Sequence, residues 1–195
     1  MTTAVIGTGF IGGTLGRAFA RAGLPTVFGS RHPAEDSAAG DAPVVPVADA
    51  IAQADTVVLA LAAAGVEPLL QTHGDALAGK LVVDAANSMG GGGVAHHADL
   101  VARLAPKARY ARAFNTLGGE NFADPVFDGT PADLFFSSSA ADRAAVEELV
   151  TAVGLRPMYV GENQQDVVDG MLRLWFALAV GQGHGRHLAF HTLTR

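Results

Sequence analysis

Three glycines near the amino terminus are the strongest indication of a binding function, in the run Gly7-Thr8-Gly9-Phe10-Ile11-Gly12. A short apolar stretch, 4–6, precedes the run, and an apolar helical pattern follows it. In strand–turn–helix units that bind dinucleotides, the first glycine allows a tight turn, the second lets backbone approach a pyrophosphate, and the third lets the helix pack closely on the sheet. The helix then directs its unpaired N–H groups and positive dipole end at the phosphates. The sequence therefore predicts a dinucleotide site formed by Gly7, Thr8, Gly9, Phe10, Ile11 and Gly12.

A second chemical signal lies where the next strand is expected to end. An NAD site usually places Asp or Glu there, about 20 residues past the glycines, to bind the ribose 2′-hydroxyl. This chain has Gly29-Ser30-Arg31-His32-Pro33 instead, with Glu35 as the nearest following acid. A guanidinium can bind phosphate oxygens through a planar fork and a serine hydroxyl can add one hydrogen bond. Ser30 and Arg31 are therefore predicted to bind the 2′-phosphate of NADP; the alternative is that Arg31 is a solvated loop cation.

The composition excludes several classes of function. At 195 residues and 49% hydrophobic content, the chain can bury one good core with a small appendage. The net charge is −6 and Lys and Arg are scattered, so nucleic acid and anionic membranes are not expected partners. The absence of cysteine excludes disulfides, thiolate nucleophiles and cysteine-bound metal. No stretch reaches the ~20 apolar residues that cross a bilayer, and the first strand begins almost at Met1, so we expect a soluble cytoplasmic protein.

Strand and helix patterns alternate along most of the chain. Continuous apolar runs such as 55–61 and 80–85 are typical of strands buried on both faces. The alternation predicts an α/β fold with a Rossmann-like, doubly wound, mostly parallel sheet. The predicted strands lie at 4–6, 25–28, 44–47, 55–61, 80–85, 109–114, 133–137 and 156–160, and the predicted helices at 11–22, 48–54, 66–77, 94–105 and 140–153.

The carboxyl-terminal part has a different pattern. Helical spacing without strands predicts a small helical lobe made of one helix, a glycine-rich break at 181–185 and a second short helix. We therefore divide the chain into an NADP-binding Rossmann domain at 1–161 and a helical cap at 162–195. The apolar pattern from Met171 to Leu178 suggests a homodimer, and Trp175 is interpreted as a core residue.

In an open α/β sheet, ligands bind outside the carboxyl ends of the strands. The residues that follow the central strands are mostly small or neutral, which suits hydride transfer between two flat rings held in a dry slot without a protein acid or base. Asp84 is interpreted as structural, because a carboxylate there can accept N–H groups of the following turn. The further cofactor-binding candidates are Leu61, Ala62, Ala86, Asn87 and Asn115.

Together these motifs resemble the NADPH-dependent coenzyme F420 reductase family. The resemblance is carried by 6–12, 29–33, Val83-Asp84-Ala85-Ala86-Asn87, Ala113-Phe114-Asn115-Thr116 and the closing segments 174–175, 181–183 and 189–190. It implies a Rossmann domain with a small helical lobe, NADP bound by the glycine turn with Ser30 and Arg31, and direct hydride exchange between nicotinamide and a deazaflavin such as coenzyme F420. It also implies that Asn87 and Asn115 lie near the nicotinamide.

Some residues depart from that resemblance. Arg112 stands where the family often has lysine, and a four-glycine run, 90–93, with His96 and His97 replaces a more structured segment. The sequence thus determines the hydride acceptor less well than the cofactor NADP, and a flavin is an alternative acceptor. The alternatives are an NADPH-dependent imine or ketone reductase, which needs a proton donor and a larger helical domain, and a non-catalytic NADP-binding redox sensor.

Three histidines near the carboxyl terminus invite a metal interpretation. His184, His187 and His191 would share one face of a continuous helix. No carboxylate lies nearby in sequence, and Gly185 weakens the helix between the first two. No metal site is predicted.

Overall fold

A computed structural model describes residues 1–34, 42–90 and 94–195. The observations on Glu35 and on glycines 91–93 concern residues outside these ranges. The described strands are β1 (Thr3–Ile6), β2 (Thr26–Ser30), β3 (Val44–Pro46), β4 (Thr56–Leu59), β5 (Leu81–Asp84), β6 (Arg109–Arg112), β7 (Val126–Phe127), β8 (Thr130–Pro131), β9 (Asp133–Ser138) and β10 (Arg156–Tyr159). The described helices are α1 (Phe10–Arg21), α2 (Val47–Gln53), α3 (Ala63–His73), α4 (Ala98–Leu104), α5 (Arg143–Ala152) and α6 (Gln165–Phe176).

Eight of these strands form one sheet in the order β10-β9-β6-β5-β4-β1-β2-β3. All neighbouring pairs are parallel except β6 and β9, which are antiparallel. The mostly parallel, Rossmann-like α/β fold predicted from the alternation is therefore confirmed. The hairpin of β7 and β8 is separate from the sheet and was not predicted.

The register aligns the carboxyl ends of the central strands. Ile6 of β1 lies beside Gly29 of β2 and Leu59 of β4, and Leu59 in turn lies beside Asp84 of β5. Asp84 lies beside Arg112 of β6. The loops that leave these five strands therefore start from one edge of the sheet, where ligands bind in such folds.

The core has two apolar layers, one on each face of the sheet. Alternate residues of a strand point to opposite faces, so Val5 packs in one layer while Ile6 packs in the other. Because both faces are covered, the central strands β1, β4 and β5 are mostly apolar, as the continuous runs predicted. The first layer includes Leu15, Phe19, Phe28, Phe114 and Phe136, and the second includes Ile51, Leu59, Leu70, Leu77 and Val82.

The helix predicted at 94–105 begins later than expected, at Ala98. The backbone N–H groups of Ala95 and His96 donate to Asp169, and that of His97 donates to Asp84. These carboxylates hold 95–97 in a loop before the helix. Periodicity within the segment does not reveal partners that lie elsewhere in the chain.

The second carboxyl-terminal helix is a wrong prediction. After α6 the chain makes one wider turn over Ala177–Gly181, and 182–195 contains no helix. Gly183 and Gly185 have φ angles of +73° and +83°, which stop a right-handed helix. His184, His187 and His191 therefore do not share a helix face.

The tail instead lies along the sheet. The carbonyl of Phe190 accepts the N–H of Asp133 at 2.9 Å, and the carbonyl of Leu188 accepts the indole N–H of Trp175 at 2.8 Å. Trp175 is buried, which confirms its interpretation as a core residue. The domain division at residue 161 stays a prediction. None of the described helices is long and apolar enough to cross a membrane.

Candidate dinucleotide site

The turn between β1 and α1 is built tightly around its first and third glycines. Gly7 has a φ of +109°, which side-chain-bearing residues rarely adopt. A Cβ on Gly12 would lie 2.0 Å from the carbonyl oxygen of Gly7, so only glycine lets α1 pack this close to the strand. A Cβ on Gly9 would meet nothing within 4 Å. The turn is therefore packed at its two ends and open in the middle, at the glycine expected to approach a pyrophosphate.

A cleft of about 350 Å³ lies between this turn and the carboxyl ends of β4 and β5. Seven of the predicted cofactor-binding residues line it, and none of its described lining residues is ionisable. The lining residues are Gly9, Phe10, Ile11, Ala60, Leu61, Ala62, Ala85, Ala86 and Asn87. The remaining predicted residues of the glycine run, Gly7, Thr8 and Gly12, form the turn beside the cleft.

Ser30 and Arg31 lie at the end of the neighbouring strand. Ser30 is the last residue of β2, and its hydroxyl oxygen accepts the N–H of His32 at 2.9 Å, which closes the turn. Arg31 follows and is exposed. Because β2 pairs with β1, these residues leave the same edge of the sheet as the glycine turn. A phosphate beside this edge would meet an accessible guanidinium.

Asn87 and Asn115 are brought together although they lie on different loops. The side-chain Nδ2 of Asn115 donates to Oδ1 of Asn87 at 2.9 Å. Asn115 is buried, and its own Oδ1 has no hydrogen-bond partner among the described residues. Phe114, just before it, has a φ of +68°, a strained value that its packing against Phe122 and Phe19 helps to maintain. The positive φ of Phe114 gives a sharp turn after β6, and this turn places Asn115 beside Asn87.

Two buried charges behind the cleft were missed as site residues. Arg112 of β6 and Asp169 of α6 are almost inaccessible, and Nη2 of Arg112 lies 2.8 Å from Oδ1 of Asp169. The available signal was an arginine between Ala111 and Ala113 in a predicted strand, since such a charge is rarely buried without a partner. No local pattern identifies that partner, which lies 57 residues away.

Asp84 has the structural role predicted for it. Its Oδ1 accepts the N–H of Ala86 at 3.1 Å, and its Oδ2 accepts the N–H of His97 and the hydroxyl of Tyr110, both at 2.8 Å. Burial by itself raises the pKa of Asp84, but hydrogen bonding from His97 and the charge of Arg112 outweigh it, so the pKa lies below its usual value. The carboxylate stays ionised and holds both ends of the loop after β5.

The same contacts make stability depend on pH at both extremes. Burial and the charge of Asp84 raise the pKa of Tyr110 well above its usual value of about 10. A raised native pKa means that the contribution of Tyr110 is complete below that value and is lost as the pH rises further. The lowered pKa of Asp84 means that its contribution is complete above about 4 and is lost as the pH falls through the native pKa.

We therefore expect Tyr110→Phe to flatten the alkaline loss of stability. Urea unfolding between pH 7 and about 11 measures it. Tyr159→Phe is the matched control, because it removes the chain's other phenol, whose hydroxyl donates to the carbonyl of Ser138. An identical alkaline loss in both variants would contradict the assignment to Tyr110.

Another grouping of potential ligands lies beside α6. Ligand atoms of His96, Asp166 and Asp169 lie within 4.8 Å of one another. Asp169 is already engaged by Arg112 and by two backbone N–H groups. His96 Nε2 lies 3.3 Å from Asp166.

A known protein family matches the part of the chain that contains the glycine turn. Residues 2–88 match the family described as NADP oxidoreductase, coenzyme F420-dependent. The match covers slightly less than half of the chain. The resemblance inferred from the motifs is thereby confirmed over these residues.

Solved structures share the fold. A protein from Arthrobacter sp. FB24, assigned by name as an F420-dependent NADP reductase, superposes with a TM-score of 0.83 at 24% identity, and all of both chains is covered. An imine reductase from Streptomyces aurantiacus gives 0.70 at 18% identity, covering 94% of this chain and 68% of that one. A reductive aminase from Aspergillus terreus in complex with NADPH gives 0.73 at 20% identity, covering 93% and 62%. The latter two chains are longer by about a third of their length.

Proposed function

We propose that the protein transfers a hydride between NADPH and coenzyme F420 or a similar deazaflavin or flavin. The observation that carries the proposal is the cleft wall, which consists of small and apolar residues and one amide, Asn87. Transfer between two flat rings requires close contact and exclusion of water more than a proton donor. Reduction of an imine or ketone requires a donor for the second atom. Among the described residues that line the cleft, none can supply that proton.

The residues present fit an NADP molecule. The open face of Gly9 leaves room for a pyrophosphate against the backbone, and α1 begins at that point with unpaired N–H groups. Ser30 and Arg31 would bind the 2′-phosphate, and the buried unpaired oxygen of Asn115 supplies a polar group near Asn87. Bound NADPH would supply the hydride. The apolar walls exclude water, and the two asparagines orient the reacting ring.

The proposal is tested by mixing the protein with NADPH and oxidised coenzyme F420 and following the visible band of F420. We expect the band to bleach as NADPH is consumed. Parallel reactions with FMN, riboflavin, cyclic imines and ketones distinguish the alternatives. Turnover with imines or ketones alone would indicate the imine or ketone reductase. Tight NADPH binding without any turnover would indicate a redox sensor.

Arg31 should determine the choice between NADPH and NADH. We expect Arg31→Ala to weaken NADPH binding by roughly 1.5–3 kcal/mol, the value of a charge-assisted hydrogen bond, and to leave NADH binding nearly unchanged. Fluorescence titration of the reduced nucleotides measures both affinities. Arg21→Ala is the control, because that residue ends α1, away from the turn. Equal losses for both nucleotides would show that Arg31 acts through the fold instead.

We also propose a homodimer that uses the outer face of α6. Val167 and Leu174 are about half exposed there, and Val180, just past the helix, is also exposed. A second copy of the same face would cover these side chains with matching apolar surface. Light scattering at micromolar concentration should give twice the chain mass, and Leu174→Glu should give the monomer. A monomeric wild-type protein would contradict the proposal.

A further inference from the structure

All five N–H groups of Arg112 donate hydrogen bonds within the protein. Its Nε and Nη2 donate to Oδ1 of Asp169 at 3.0 and 2.8 Å. Its Nη1 donates to the carbonyl oxygens of Asp84, at 3.3 Å, and of Ala86, and Nη2 also donates to Oδ1 of Asn87 at 2.8 Å. A guanidinium carries five N–H groups, and these contacts use all five. Arg112 can therefore influence a ligand only through its neighbours.

Among the neighbours of Arg112, Asn87 is the one that brings a polar side chain to the cleft. Its Oδ1 accepts from both Arg112 and Nδ2 of Asn115. Since a guanidinium only donates, the amide atom that faces it must be the oxygen, and the amide cannot flip without losing both bonds. The two hydrogens of Nδ2 remain on Asn87, which lines the cleft. Because Oδ1 is occupied, the polar side-chain group that Asn87 can offer to a ligand in the cleft is the donor Nδ2.

Asp169 ties this arrangement to the carboxyl-terminal helix. It is buried on α6, and its Oδ1 receives the guanidinium. Its Oδ2 accepts the N–H groups of Ala95 and His96 at 2.7 and 3.0 Å. The same carboxylate therefore holds Arg112 in place and fixes the chain shortly after Asn87. The helix packed behind the sheet thereby sets the orientation of a side chain at its edge.

We propose that Arg112 is a positioning residue that fixes Asn87 as a donor to the carbonyl oxygen of the nicotinamide carboxamide. The inference rests on the proposed function, since it requires NADP in the cleft. An oriented donor favours a ligand whose carbonyl is a strong acceptor, and it holds the ring in one rotation about its bond to the ribose. Without Arg112 only Nδ2 of Asn115 faces Oδ1 of Asn87, and because Oδ1 of Asn115 has no partner among the described residues, the two amides can turn together and this preference is lost.

The test compares the binding of NADP⁺ with that of its thionicotinamide analogue, in which sulfur, a weaker acceptor, replaces the carbonyl oxygen. We expect the wild-type protein to bind NADP⁺ about five- to tenfold more tightly than the analogue. In Arg112→Met this ratio should fall to about one. Arg112→Lys keeps the charge beside Asp169 but lacks the planar fork, so its ratio should fall in between. Arg109→Met, on the same strand with an exposed arginine, should keep the wild-type ratio.

Binding of 2′,5′-ADP separates the possible failures. This fragment has the phosphates and adenosine but no nicotinamide, so it should bind the wild type and all three variants alike. A wild-type protein that binds neither 2′,5′-ADP nor NADP⁺ would overturn the proposed function. A wild-type ratio near one, or an unchanged ratio in an Arg112→Met protein that still binds 2′,5′-ADP, would overturn the role of Arg112 alone.

Discussion

Gly12→Ala should lower the free energy of unfolding by about 3 kcal/mol, whereas Gly9→Ala should spare the fold and remove most NADPH binding. The new Cβ at position 12 would lie 2.0 Å from the carbonyl oxygen of Gly7, and neither backbone segment can move without separating α1 from the sheet. The new Cβ at position 9 would meet no protein atom within 4 Å, so it would occupy only the space proposed for the pyrophosphate.

The paired substitutions separate packing from binding. Gly9 has an ordinary φ of −65°, so alanine there costs at most about 1 kcal/mol as a poorer helix cap. We expect its affinity for NADPH to fall about a hundredfold, which corresponds to about 2.7 kcal/mol. Urea unfolding and fluorescence titration measure the two effects, and Gly170→Ala on α6 is a control with similarly open space. NADPH binding by Gly9→Ala at the wild-type level would show that the phosphates lie elsewhere.

Asp84→Asn should be the most destabilising of the proposed isosteric changes, at about 3–5 kcal/mol. The two oxygens of Asp84 accept from the backbone of Ala86 and His97 and from the hydroxyl of Tyr110, with Arg112 beside them. An asparagine offers one oxygen, and its NH₂ group would face donors. The change also removes one of the two carboxylates that balance the buried charge of Arg112.

A surface acid provides the matched comparison. Asp55 also accepts a backbone N–H, that of Thr2 at 2.9 Å, but in an exposed position. Asp55→Asn should change the free energy of unfolding by less than about 1 kcal/mol. Equilibrium urea unfolding of both variants at pH 7 measures the difference. A loss below about 1 kcal/mol for Asp84→Asn would mean that its hydrogen bonds are not what holds the loop after β5.

The fold could be predicted from the sequence because its strongest determinants are local. A parallel strand covered on both faces is mostly apolar, and 81–83 shows this directly as Leu-Val-Val. The glycine turn is also local, since steric limits at Gly7 and Gly12 act between residues close in sequence or on the adjacent strand. The end of α6 and the path of the extended tail were harder to predict from the sequence. Tertiary contacts with Asp133 and Trp175 determine where the tail lies.

The candidate site could be predicted only in part for the same reason. Residues that follow strand ends, such as Asn87 and Asn115, were identified by the rule that ligands bind at that edge. The ion pair of Arg112 and Asp169 joins β6 to a helix 57 residues later, and no periodic pattern encodes it. The sequence could indicate that Arg112 needs a buried partner. That this partner is Asp169, and that Arg112 also contacts Asn87, is evident only from the three-dimensional structure.

The proposed function requires the glycine turn and the Ser30–Arg31 pair to hold opposite ends of the same phosphorylated adenosine diphosphate. Isothermal titration calorimetry of the wild-type protein with NADP⁺, NADPH and NAD⁺ tests it most directly. We expect saturable one-to-one binding of both phosphorylated nucleotides and much weaker binding of NAD⁺. Absence of binding heat from both NADP⁺ and NADPH, or equal affinity for NAD⁺, would contradict it.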